Sequence, residues 1–169
     1  GRRGARLAHA ERHLGAAVAL YGPGARHGPA VRARRNLFAV RLEQATRGKD
    51  ATRLRALAAA LERYAASGPG AVPWEGAALR LLAANARAAA ARLSGNPAES
   101  RGLAARLRQL SDDPALPPNA AVAVGLEQGR VLAAAGPADR AIDIWTVTQD
   151  RLWQALLRAD SAAERRARA

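Results

Sequence analysis

His9 and His13 stand four residues apart in a helix-forming run, so both rings fall on one helical face. That spacing can chelate a divalent metal. The zinc-protease pattern, however, puts a glutamate directly after the first histidine, where it reaches metal-bound water. Here Glu11 follows two residues on and points to the other side, Arg12 adjoins His13, and no third ligand is close in sequence. The pair reads as two surface residues, and no metal site is expected. Asp112-Asp113 is the one adjacent carboxylate pair, but Pro114 follows it, and aspartate before proline commonly starts a turn. Gly22-Pro23-Gly24 and Gly68-Pro69-Gly70 are not phosphate loops: no Gly-Lys-Ser/Thr follows, and proline removes an N–H that an anion would need. No serine sits in a nucleophile-elbow setting and there is no cysteine. The residues therefore offer no catalytic group, no metal ligand set and no cofactor site, and a non-enzymatic role is expected.

Arginine is the serious functional candidate. The net charge is +13 from 27 basic and 14 acidic residues, and Lys49 is the sole lysine. Such a field attracts acidic peptides, nucleic acid or anionic membrane at low salt. Yet Arg excess beside heavy Ala, Gly and Pro is also what a GC-rich bacterial genome produces. Arg32, Arg34, Arg35 and Arg41 surround their helix instead of forming a stripe. Nucleic-acid surfaces usually gather charge on one face with aromatics between, and Phe, Tyr and Trp make up 4% here.

The elements that must carry these residues are helices. Apolar residues make up 49% of the chain, with Ala the most frequent, and Ala is the best helix former. Few β-branched or aromatic residues are present to favour a sheet. Apolar spacing of three and four residues predicts helices over 5–20, 29–46, 51–66, 74–93, 98–111, 120–135 and from 138 to 160 or beyond, with a polar tail from Ser161 that frays. Pro29 suits a first turn, and Asp50 and Asn119 suit N-caps. In the last helix Ile142, Trp145, Leu152 and Leu156 share one side, with Trp145 read as core and Trp153 as half exposed. Trp74 opens a helix after Pro73 and reads as a staple.

A four-residue motif, Gly-Pro-Gly-Ala, occurs at Gly22 and again at Gly68, 46 residues later, each time after a Leu/Ala/Tyr-rich helix. Tight turns at Gly48, Gly95 and Gly136 then pair the helices at intervals near those of helix-pair repeats. The expectation is an all-α chain of about seven helices in antiparallel pairs, either a solenoid or a plain helical bundle, forming one domain over 1–169. With no Met in the sequence, the chain reads as a processed or excised part of a longer one. No run approaches the ~18–20 apolar residues of a membrane span. A cytoplasmic location is slightly favoured, and a periplasmic or membrane-anchored one with a removed N-terminus stays open.

The helix–Gly turn–helix layout resembles tetratricopeptide repeats. Gly129, seven residues before Gly136, and Ala141, five after it, stand at the family's small positions, and Trp145 stands at a large apolar one. Ala88 and Ser100 fill the small positions of the middle unit. Leu37, Val40, Leu57 and Ala60 fit the first, which carries Arg41 and Arg53 where the family has small residues. The resemblance covers about residues 29–155. It implies a stacked superhelix whose first helices line a peptide-binding groove. Those helices hold Arg34, Arg35, Asn36 and Arg41, then Arg80, Asn85 and Arg87, then Gln128 and Arg130. Arg pairs carboxylates bidentately and Asn can bond a peptide backbone, so an acidic protein segment is the expected partner. The alternative is an Arg-driven binder of nucleic acid or an anionic surface.

Overall fold

The computed structural model describes residues 2–167 apart from Pro23, Pro69–Val72, Pro114, Ala115, Pro117, Gly136 and Pro137. Side chains are described for all of these except Pro73, Trp74, Pro118, Asn119, Ala135, Ala138, Ala155 and residues 159–167. The described residues form seven helices: α1 (Arg2–Tyr21), α2 (Gly28–Arg47), α3 (Ala51–Ala66), α4 (Pro73–Ser94), α5 (Pro97–Ser111), α6 (Pro118–Ala135) and α7 (Ala138–Ala167). No strand occurs among them. The fold is all-α, a helical bundle or solenoid. Each helix lies where the apolar spacing predicts it, with differences of extent: α1 starts three residues earlier, at Arg2, α6 starts two earlier, at Pro118, and α7 runs on to Ala167, where a frayed tail is expected from Ser161.

The repeated motif has a plain physical cause. Gly22 and Gly68 both take a left-handed backbone, with φ of 78° and 64°, and their N–H groups bond back to Ala19 and Ala65 at the ends of α1 and α3. Only glycine adopts that conformation without a Cβ penalty. The turn expected at Gly48 joins α2 to α3. Gly48 is right-handed, and Lys49, at φ 51°, is the left-handed residue. Asp50 then caps α3, its carboxylate accepting from the Arg53 N–H at 2.8 Å. Asn119, expected as a cap, lies inside α6, which starts one residue earlier at Pro118. Trp74 is in the first turn of α4 as expected; the staple contact of its side chain lies outside the described residues, and so does the Gly136 turn.

The chain divides into two compact units, Gly1–Asn96 and Pro97–Ala169. The Gly95 turn, expected to join a helix pair, stands at that boundary. In the first unit α2 packs on α1, α3 and α4, and α3 packs on α4. Ala45, Leu54, Ala89 and Ala90 form one core cluster, and Leu57, Leu61, Leu79 and Ala83 form another, closed by Phe38, Leu42 and Tyr64. The run of buried alanines from Ala83 to Ala91 gives α4 a smooth surface on which larger side chains of α3 settle. The first helix has no buried residue, and polar contacts tie it down. Arg41 Nε donates to Glu11 Oε1 at 2.9 Å, and Arg34 Nη2 donates to the Gly22 carbonyl at 3.1 Å.

In the second unit α6 packs on both α5 and α7. Leu103, Ala104, Leu107 and Leu110 of α5 and Val124 and Val131 of α6 are buried there, with Leu116 from the connection. Arg151 of α7 reaches back to Asp112 at 2.9 Å, which gives that half of the carboxylate pair a structural role.

Candidate functional site

Glycine spacing sets the way α7 meets α6. Gly125 and Gly129 lie one turn apart on α6, both buried, and α7 fills the space their missing side chains leave. A Cβ added to Gly129 would sit 2.7 Å from Trp145 Cε2, and one added to Gly125 would sit 2.9 Å from Thr148 Cγ2. Only backbone can be that close. The indole Nε1–H points to the Leu126 carbonyl at 3.5 Å, and the Thr148 hydroxyl donates to the Ile144 carbonyl at 2.7 Å. With the buried Ala141 and the half-buried Ile144, these residues make the face of α7 that meets α6.

That contact leaves a second apolar face uncovered. Ile142, Leu152, Trp153, Leu156 and Leu157 are 54%, 41%, 58%, 46% and 62% exposed. Trp153 and Leu156 follow Ile142 by eleven and fourteen residues, close to three and four turns, and Leu152 and Leu157 lie one turn from Leu156 and Trp153, so the five share one stripe along α7, about 22 Å from Ile142 to Leu157 at ~1.5 Å per residue. The sequence reading placed Ile142, Trp145, Leu152 and Leu156 on one side, with Trp145 as core. The structure puts that side outward and leaves Trp145 at its edge, 38% exposed, with the Nε1 side of its indole against Gly129. The reason is the small surface of α6: Gly125 and Gly129 admit Thr148 and Trp145, so the buried face of α7 is turned toward them. Leu126, also exposed, adjoins Trp145 and carries the apolar surface onto α6.

A row of carboxylates borders the stripe. Asp139, Asp143 and Asp150, spaced by four and seven residues, share one face of α7, and all three are exposed. Asp139 lies one turn from Ile142, and Asp150 one turn from Trp153. By the helical period this row runs along the edge of the stripe opposite Thr148. Among the described residues none of the three makes an ion pair. Asp143 also faces Arg101, Arg108 and Arg140 across a cleft on its other side, so the row separates the stripe from those arginines.

The residues singled out from the sequence are distributed over both units. Arg34, besides its bond to Gly22, sits 4.9 Å over the Tyr64 ring, a cation–π contact. Arg41 is held by Glu11, whose carboxyl is pulled below its usual value first by the Arg41 hydrogen bond and then by one from Gln44. Arg87 forms a two-pronged bridge to Glu62, both bonds 2.6 Å, joining α4 to α3. Arg130 pairs with Glu127 one turn back at 3.3 Å. These four guanidiniums therefore serve internal contacts. Arg35 and Asn85 are half-buried, and Asn36 and Arg80 are exposed. Gln128 is buried and lines an open cleft among α5, α6 and α7. His9 and His13 stack edge to face with ring centres 4.2 Å apart.

Comparison with family models, with curated proteins and with solved structures gave no match. The functional surface is therefore read from its own chemistry. The sequence held one signal for the α7 stripe: between 141 and 157 the helix carries more large apolar residues than one buried face needs.

Proposed function

We propose that this chain is a non-enzymatic interaction module whose α6–α7 face receives an amphipathic helix from another protein. The observation that carries the reading is the exposed stripe of α7, with two tryptophans and four large aliphatic residues on one helix. Contiguous apolar surface of this kind marks interaction sites in proteins that stay dispersed, and tryptophans in it are the usual energetic anchors. A helix laid along the stripe would present its own anchors at spacings of three, four and seven residues.

The acidic row specifies the partner further. Asp139, Asp143 and Asp150 run along the edge of the stripe away from α6, so a partner helix with Lys or Arg along its flank on that side is complementary there, and one with Glu is repelled. For this face that reverses the sign of partner expected from overall charge. It also disfavours nucleic acid at this face, because phosphates would meet carboxylates. The tetratricopeptide-like layout is compatible with the reading, since such arrays recognise protein segments on stacked helices.

The test uses the full chain and two synthetic helical peptides with the same Leu/Ile anchors, one with a Lys flank and one with a Glu flank. Fluorescence titration should show the Lys peptide binding at least about tenfold tighter, and Trp153→Ala should weaken it by ~2 kcal/mol, as for an interface anchor. Sedimentation is run alongside. If the chain is already a micromolar dimer that Trp153→Ala dissociates, the occupant is a second copy and the reading fails. Equal binding of the two peptides, or of neither, refutes it too.

A further inference from the structure

The second unit holds a cleft that the α7 stripe does not use. Its volume is about 440 Å³, within the ~300–1,000 Å³ typical of small-ligand sites. Arg101 and Arg108 stand two turns apart on α5, and Arg140 comes from α7. Between them the lining is apolar, with Ala104, Leu132 and Ile144. Gln128 completes it from α6 and is 6% exposed. Among the described residues the Gln128 amide makes no side-chain hydrogen bond and none of the three arginines makes an ion pair. Asp143 also lines the cleft, so the formal charges there leave a surplus of two positives.

The Gln128 side chain is held in place by burial while its amide keeps no protein partner among the described residues, and an amide can both donate and accept. Arginines present forked donors matched to a carboxylate. We infer that this cleft binds a carboxylate carried on an apolar body, the carboxylate held by Arg108 and its neighbouring arginines with the Gln128 amide as a further donor, and the apolar body lying on Leu132 and Ile144. The chain's diffuse positive field is not sufficient for this. A diffuse field attracts any anion, whereas the buried amide and the apolar lining select a carboxylate with a hydrocarbon attached. Both a free organic acid and the C-terminal carboxylate of an apolar peptide have this chemistry.

The probes are octanoate, octanamide, and a short Ala/Leu peptide with either a free or an amidated C-terminus, each titrated into the full chain by calorimetry. Octanoate should bind at least about tenfold tighter than octanamide, the loss of one charged, hydrogen-bonded group. Arg108→Gln and Gln128→Leu should each weaken octanoate about tenfold or more. Arg12→Gln, on α1, should leave it unchanged, which separates the cleft from general charge. Leu156→Ser should also leave it unchanged, which separates the cleft from the α7 stripe and keeps this result independent of the proposed function. Tighter binding of the free-acid peptide than of octanoate assigns the source as a chain terminus, and the reverse assigns a free acid. Octanamide binding as well as octanoate, or Arg12→Gln weakening octanoate as much as Arg108→Gln, overturns the inference.

Discussion

Replacing Gly129 by alanine should destabilise the second unit, whereas the same change at Gly102 should stabilise it. Both glycines lie inside helices, α6 and α5, where alanine is favoured over glycine by ~0.8–1.0 kcal/mol. At Gly102 nothing lies within 4 Å of an added Cβ, so that gain stands alone. At Gly129 the new methyl would fall under 3.0 Å from three atoms of the Trp145 indole. Overpacking of this kind costs ~1–3 kcal/mol. The ring is held by one long bond to Leu126, at 3.5 Å, and the residue is 38% exposed. It can swing out, so the middle of that range applies, about 2 kcal/mol. Set against the propensity gain, the net loss is about 1 kcal/mol. In a Trp145→Ala background the clash disappears and Gly129→Ala should become stabilising, giving a coupling of about 2 kcal/mol in the double-mutant cycle. Urea unfolding, followed by circular dichroism and tryptophan fluorescence, measures all four terms. If Gly129→Ala is at least as stable as the parent, or if the two substitutions add without coupling, the close approach of α6 and α7 is wrong.

Two further outcomes concern the first unit. Its α1–α2 tie should depend on pH through Glu11. A carboxyl held below its ordinary value by Arg41 stabilises the fold fully above the unfolded value of about 4.3 and loses that contribution as pH falls through the lower folded value. The stability gap between parent and Glu11→Gln should thus be flat above about pH 5 and close at lower pH; a gap that persists at pH 2 would show that the carboxylate is not the source. Asp50→Ala removes the side chain that accepts from the Arg53 N–H and should cost ~1 kcal/mol, as helix N-caps do. Asp50→Asn should restore most of it, and an Asp50→Ala variant of unchanged unfolding midpoint would mean the cap contributes nothing.

The sequence alone determined the helices, because helix formation is local. Ala and Leu at three- and four-residue spacing, Pro at first turns and Gly-Pro-Gly stops act within one or two turns of chain, so class, number and nearly all boundaries could be read from them. Asp50 could be read as a cap for the same reason. Tertiary structure decided which side of each helix faces in. Amphipathic spacing marks an apolar side but does not say whether a neighbour is there to cover it. On α7 two such sides compete, and the approach allowed by Gly125 and Gly129 on α6 buries Ala141 and Thr148 while Ile142, Leu152, Trp153 and Leu156 stay exposed. The fate of charge was likewise non-local. Arg41 and Arg87 look like free cations in one dimension, but Glu11 and Glu62, 30 and 25 residues away, hold them. The cleft needed the same information: Arg108, Gln128 and Arg140 come from three helices, and no short window of sequence contains them together.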